Sequence, residues 1–245
     1  MIRVFSEMFG EYPFMNEKYA VAMFMWNFGG MENQTITGIG ERYISGLNFY
    51  EDLLIHELAH SWWGNAVTPK SWKDIWLNEG FATYSEALYY EYVFGKDQLP
   101  VEMQKFKRVN HKGRLYNPKG DLFSSMIYQK GAWVLHMLRR ETGDSLFFSI
   151  LREYYKQFNH KTASTEDFLN VCKKVSNMNL DEFFRQWVYG YSEKLKIKYK
   201  LIRKDDSNYL EIENELKNNF VFTAEFLLEY DDGSKELKEF RIDKN

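Results

Sequence analysis

Three residues in little more than one helical turn carry the first chemical signal in this chain. They are His56, Glu57 and His60, in the run Ile55-His56-Glu57-Leu58-Ala59-His60. If Leu53 to Trp63 is helical, the two histidines stand on one face, so both imidazoles can reach a single cation. Glu57 follows next round the helix, where its carboxylate can hold a water bound to that cation. Imidazole nitrogens suit zinc, and two of them leave positions for one further protein ligand and for the water. For the five-residue pattern alone, a buried helix whose histidines bond to backbone carbonyls is the alternative, because short motifs recur by accident.

The third ligand is expected in Trp76-Leu77-Asn78-Glu79-Gly80-Phe81. A carboxylate in the first turn of a helix ordinarily complements the helix dipole in water. Glu79 instead has Trp76, Leu77 and Phe81 as neighbours, an apolar setting in which an unpaired carboxylate is costly. A metal partner removes that cost. His56, His60 and Glu79 then make a site for one zinc with an open water position.

Two helices must position this set. Asn48 with Glu51 has capping-box spacing, Leu53, Leu54, Leu58 and Trp62 form an apolar stripe, and Gly64-Asn65 is a stop signal. The second helix is expected to start with Asn78 as its N-cap and to run through Tyr84, Ala87, Leu88 and Val93 to Gly95.

The run HELAH followed by NEG, with Gly29-Gly30-Met31-Glu32-Asn33 upstream and Tyr128-Gln129-Lys130-Gly131 downstream, resembles the aminopeptidase N family of gluzincin zinc metallopeptidases, which includes leukotriene hydrolase. The similarity spans Met1 to the Trp187 region and, more weakly, the tail. It implies a mixed α/β fold of α+β type: a thermolysin-like zincin catalytic domain over 1–190, mainly helical with a small mixed sheet. A β-rich extension over 191–245, the start of an antiparallel β-sandwich, is expected to follow. It also implies that the chain is a fragment lacking a preceding β-domain and a following helical one.

The same resemblance implies roles for particular residues. Glu32 would grip the free α-amine of a peptide, and the Tyr128 hydroxyl would donate to the oxyanion formed during attack. Zinc would lower the pKa of its water, and Glu57 would take the proton as general base. Physically, a carboxylate beside the metal favours an ammonium over a neutral amide, which makes the enzyme an aminopeptidase. Adjacent glycines at a strand end can be a simple turn; with Met31-Glu32-Asn33 attached, Gly29 and Gly30 read as an edge that a peptide backbone can approach closely. Two alternatives stay open. One is a zinc- and peptide-binding fragment with little turnover, and the other is a thermolysin-type endopeptidase. Leukotriene hydrolase chemistry has no specific residue pointing to it.

At 245 residues the chain can bury one full core and part of a second. Aromatics make up 18%, with seven Trp, which suits a packed interior or an apolar cleft. A net charge of -3 and a pI of about 6.0 give no basic footprint for nucleic acid. Lone Cys172 cannot form an internal disulfide, which fits a reducing, cytoplasm-like setting. No run is long enough to span a membrane, and the first twenty residues do not read as a signal peptide. Location is otherwise unassigned. Faces left uncovered by missing domains are expected to lead to self-association or a partner chain.

Along the chain, Ile2 to Phe9 reads as a helix ended by Gly10, and Lys18 to Phe28 as a strand with Val21, Met23 and Met25 on one side. Helices are expected over Lys96 to Arg108, from Ser124-Ser125 to Gly143, over Ser145 to Phe158 and over Thr165 to Ser176, with a further start at Asn179 and Glu182. In the helix before Gly143, Ala132, Trp133, Leu135, His136 and Leu138 make the buried face, with His136 a core histidine. From Leu195 onward apolar residues alternate with polar ones, and Asp231-Asp232-Gly233-Ser234 is a hairpin turn signal.

Overall fold

The computed structural model describes residues 1–25, 29–108, 112–191, 197–205, 207–214 and 220–242. They form two compact units, Met1–Ser192 and Glu193–Asn245.

In the first unit, α1 (Ile2–Phe9) buries Val4, Phe5, Met8 and Phe9, spaced as an amphipathic helix requires. A three-stranded mixed sheet follows, with β1 (Ala20–Phe24) parallel to β3 (Ile36–Gly40) and β2 (Gly30–Met31) antiparallel to β3 on its other side. The expected strand to Phe28 ends earlier, and its last three residues lie outside the described set.

Helix α2 spans Glu51–Ala59 with Tyr50 at its N-cap, so Asn48 sits one short turn too early to cap it. It also stops before the expected Trp63. His60 keeps helical dihedrals, but the chain then opens into wider turns, with backbone bonds from Asn65 to His60, Ala66 to Ser61 and Val67 to Trp62. This change of path lets two consecutive indoles, Trp62 and Trp63, both be buried. Phe9 meets Trp63 edge-on at 5.0 Å, and the Trp62 indole N–H donates to the Gly10 carbonyl at 2.9 Å, which satisfies its one polar atom.

β4 (Val67–Pro69) leads to α3 (Trp76–Phe94), which ends at Gly95 as expected. Its N-cap is Ile75, so Asn78 lies inside the first turn and not before it. α4 (Gln98–Lys105) follows. The segment starting near Ser124-Ser125 is a π-helix over Met126–Lys130 that runs on into α5 (Gly131–Thr142). Ala132, Leu135, His136 and Leu138 are buried there and Trp133 half-buried. His136 is a core residue: its Nδ1 lies 3.1 Å from the Tyr84 hydroxyl, and burial with Arg140 and Arg139 nearby pushes its pKa down to about 3.

α6 (Asp144–Phe158) and α7 (Thr165–Ser176) flank β5 (Lys161–Ala163), which pairs in parallel with β4. Ser164 and Asp167 form a capping box on α7. At α8 (Asp181–Phe184) the N-cap is Leu180, so the expected Asn179–Glu182 box does not form; Asn179 Oδ1 accepts from the Asp181 amide instead, at 3.0 Å. A π-helical turn over Arg185–Tyr189 ends this unit's helices.

In the second unit β6 (Ile197–Lys204) pairs antiparallel with β7 (Ser207–Asn214), and β8 (Phe222–Glu229) with β9 (Lys235–Ile242). The Asp231–Ser234 turn closes the latter hairpin, with the Ser234 amide donating to Asp232 Oδ1 at 2.8 Å. Among the described residues no helix is long and apolar enough to cross a membrane.

Candidate active site

α2 and α3 pack together and bring His56, His60 and Glu79 to one point. His56 Nε2 and His60 Nε2 each lie 3.4 Å from Glu79 Oε2. All three residues are less than a tenth exposed. Tetrahedral zinc with ligands at about 2.0 to 2.2 Å sets those ligands about 3.3 to 3.6 Å apart, so the spacing suits that ion.

The far sides of both rings decide which nitrogen faces the centre. His60 Nδ1 lies 2.9 Å from the Trp63 carbonyl oxygen, and His56 Nδ1 lies 2.7 Å from Glu86 Oε1. Those oxygens accept, so each Nδ1 is assigned the N–H and each neutral ring turns an Nε2 lone pair toward Glu79. Lone pairs facing a carboxylate oxygen call for a cation between them. Burial works against charge on His60, yet Glu79 raises its pKa to about 8, and against burial the His60 and His56 rings hold the Glu79 carboxyl well below the usual range, so the site draws positive charge, which a bound cation would supply in place of a proton. The residues present therefore fit a zinc ion.

Glu57 projects into the same cleft, 6% exposed, with Oε2 lacking a hydrogen-bond partner. Burial pushes its carboxyl up to about 6, against the pull of His60 and His56. Opposite stands β2. A Cβ built on Gly30 would fall 2.5 Å from Glu57 Cγ and Oε1, so the missing side chain at Gly30 makes room for the Glu57 carboxylate. At Gly29 the nearest atom would be 3.7 Å away, ordinary contact. Gly29, Gly30, Met31 and Glu32 line the cleft. Exposed Asn33 is not among its lining residues; its carbonyl closes the turn into β3 by accepting from Ile36 at 3.1 Å. Donor atoms of Glu32, Glu57 and His60 lie within 4.8 Å of one another.

Tyr128 reaches the site from the π-helical turn and stacks on His56, ring centres 5.7 Å apart. Burial, then the Glu79 and Glu32 carboxylates, push its hydroxyl well above the ordinary value, so it keeps its proton and can donate. Its placement depends on a close crossing of α3 and α5. A Cβ on Gly80 would lie 2.8 Å from the Gly131 Cα, and one on Gly131 would lie 2.7 Å from the Gly80 Cα. The glycine that follows Glu79 and the glycine three residues after Tyr128 are two halves of one contact. Buried Lys130, whose pKa burial pushes down to about 7, ties the turn to the Gly113 carbonyl.

Sequence reasoning missed Glu86 and the role of Asn78. Glu86 lies seven residues after Glu79, two helical turns along the same face, a spacing that could have disclosed it. Asn78 offered no such signal, since one of its two partners comes from a distant segment: Nδ2 lies 3.3 Å from Glu32 Oε1, 46 residues away, and 3.4 Å from Oε1 of the adjacent Glu79. The whole cleft encloses about 1120 Å³, with exposed Trp72 and Phe123 meeting edge to face on its wall.

Comparison with known proteins places this chain in a family. Residues 1–187 match the model of the Peptidase family M1 domain. Leucine aminopeptidase 2 of Yarrowia lipolytica is 33% identical over 183 residues, which cover 65% of this chain and 28% of that protein. A variant of the M1 zinc metallopeptidase of Deinococcus radiodurans, solved with a Tyr-Ser-Ala substrate, superposes with a TM-score of 0.67 at 31% identity over 78% of this chain and 43% of that one. Native leukotriene A4 hydrolase from Saccharomyces cerevisiae superposes at 0.66 with 25% identity, over 78% of this chain and 34% of that one. The match thus spans less than half the length of each of these relatives. On the family match and the shared fold, the chain belongs to peptidase family M1.

Proposed function

We propose that this chain is a zinc-dependent aminopeptidase acting on peptides with a free N-terminus. The observation that carries the reading is the convergence of His56 Nε2, His60 Nε2 and Glu79 Oε2 beside Glu57, with Glu32 just after the facing strand. His56, His60 and Glu79 would hold one zinc. When bound there, zinc supplies Lewis acidity, acidifying water and polarising a carbonyl. Glu57 takes a proton from the attacking water as the C–O bond forms at the first peptide carbonyl. It then passes that proton to the leaving nitrogen as the C–N bond breaks. The Tyr128 hydroxyl donates to the oxyanion of the tetrahedral intermediate. Glu32 holds the substrate ammonium, which sets cleavage one residue from the N-terminus.

The test compares aminoacyl amides with their N-acetylated forms. A charged hydrogen bond contributes about 1.5 to 3 kcal/mol, so acetylation should lower kcat/KM by roughly 10- to 150-fold, and Glu32→Ala should shrink that gap. Equal cleavage of both forms, or cuts inside long peptides, would favour a thermolysin-type endopeptidase. A second reading is zinc and peptide binding with little turnover. Zinc uptake and peptide binding without product release would establish it.

Self-association or a partner chain is proposed on a separate observation. Val21, Met23 and Met25, in and just after edge strand β1, are 47%, 59% and 88% exposed. Exposed apolar edges invite pairing. A mass that stays monomeric across concentrations in sedimentation would remove this idea.

A further inference from the structure

Glu32 and Glu79 have different tasks in the reading above, one toward the substrate amine and one toward the metal, and a single side chain touches both. Asn78 Nδ2 lies 3.3 Å from Glu32 Oε1 and 3.4 Å from Glu79 Oε1. A carboxamide nitrogen carries two N–H groups, so each carboxylate can receive its own. Glu79 is thereby divided between two duties: Oε2 faces His56 and His60, while Oε1 is held by Asn78. The opposite amide orientation would set Oδ1 against two carboxylate oxygens, acceptor against acceptor.

The other end of the amide is held by shape alone. Asn78 is 6% exposed, Oδ1 has no hydrogen-bond partner, and a Cβ built on Gly64 would fall 2.0 Å from it. Gly64 belongs to the chain just after the histidine helix, so the turn that ends that helix keeps a slot for this amide. The neighbouring residue completes the arrangement: Asn65 Nδ2 donates to the Glu32 backbone carbonyl at 2.9 Å. Glu32 is therefore tied at its main chain by Asn65 and at its side chain by Asn78.

We propose that Asn78 is a positioning residue that fixes the separation between the amine-binding carboxylate and the metal-binding carboxylate, and so sets the one-residue register of cleavage. This rests on the zinc aminopeptidase reading and deepens it. The residue type follows from the charges. Two nearby carboxylates repel and need a donor between them. A lysine or arginine would cancel the charge that Glu32 needs for an ammonium, and an apolar side chain would leave both oxygens without a donor. A neutral amide satisfies both and preserves both charges.

The test uses the full 245-residue chain and begins with wild type. Its zinc dissociation constant is read by chelator competition, and its preference for leucine over N-acetyl-leucine, which differ in the free ammonium and neither of which carries an amide bond on its carboxyl side, by calorimetry. A wild type that takes up no zinc, or binds both probes alike, defeats the aminopeptidase reading and this proposal with it, before any Asn78 variant is made. Asn78→Ala and Asn78→Leu are then compared; leucine keeps the branched outline and places a methyl where Oδ1 has no partner. Loss of such an outer contact should weaken zinc binding about 10-fold. Leucine binding should weaken to a similar degree while N-acetyl-leucine binding stays the same. In a Glu32→Ala background the Asn78 substitution should still weaken zinc binding but no longer change the ratio of the two probes. A folded Asn78→Leu chain with wild-type zinc affinity and wild-type amine preference overturns the proposal, and so does a lowered melting temperature with both binding readouts unchanged.

Discussion

On the helical wall of the cleft Glu57 and Glu79 are 6% and 3% exposed, whereas on the strand wall Glu32 is only half-buried. The helical carboxylates face imidazoles, and the β2 side offers a glycine backbone and one charge facing the cleft. Deep burial strengthens electrostatics and fixes geometry, which suits metal and proton chemistry. A half-buried charge stays accessible to a substrate ammonium. In the proposed function the two walls divide chemistry from orientation, and substitutions on each should leave different kinetic signatures.

The largest effects belong to the helical wall. Glu57→Gln keeps the side chain's size and removes the base, so kcat should fall by roughly 100- to 10,000-fold with zinc content unchanged. Steady-state kinetics beside metal analysis checks this. Tyr128→Phe, which removes one oxyanion donor, should lower kcat by about 100- to 1000-fold with little change in substrate binding. Retained kcat in both variants would end the role assignments.

Gly30→Ala sharpens the comparison because it sits on the strand wall yet should behave like a helical-wall variant. Its new methyl would meet Glu57 Cγ and Oε1 at 2.5 Å. Displacing the base by even 1 Å can cost about 100-fold, so kcat should drop more than KM rises. A change confined to KM would show that Gly30 serves the substrate backbone alone.

A smaller effect is expected from Glu86→Gln. His56 Nδ1 would keep a carbonyl acceptor but lose the charged one, and zinc affinity should weaken by about 10- to 100-fold in chelator competition. Unaltered zinc affinity would mean that the 2.7 Å contact only packs the ring.

Much of this was legible along the chain. Residues four apart on a helix share a face whatever surrounds them, so His56 and His60 had to point together once α2 formed. α1, α7 and the Asp231–Ser234 turn follow equally from local periodicity, glycine stops and turn chemistry. The choice of Glu79 as their partner came from the cost of a carboxylate among Trp76, Leu77 and Phe81, again a local argument. Helix starts were read less well: Asn48, Asn78 and Asn179 have the spacing of caps, but the observed N-caps are Tyr50, Ile75 and Leu180. Asparagine bonds as readily to distant partners as to its own helix, and the contact with Glu32, 46 residues away, won at Asn78.

Tertiary structure alone decided the contacts between segments. Glu86 meets His56 across 30 residues, Asn78 meets Glu32 across 46, and Gly80 meets Gly131 backbone to backbone. Periodicity reports which side of an element is buried but carries no information on which other element covers it. The linear chain therefore determined which residues could bind a metal and take a proton. Packing of α2, α3, the π-helical turn and β2 decided which lone pairs face inward, how near Glu32 stands and where Tyr128 sits, because those are distances between elements that only the close-packed core sets.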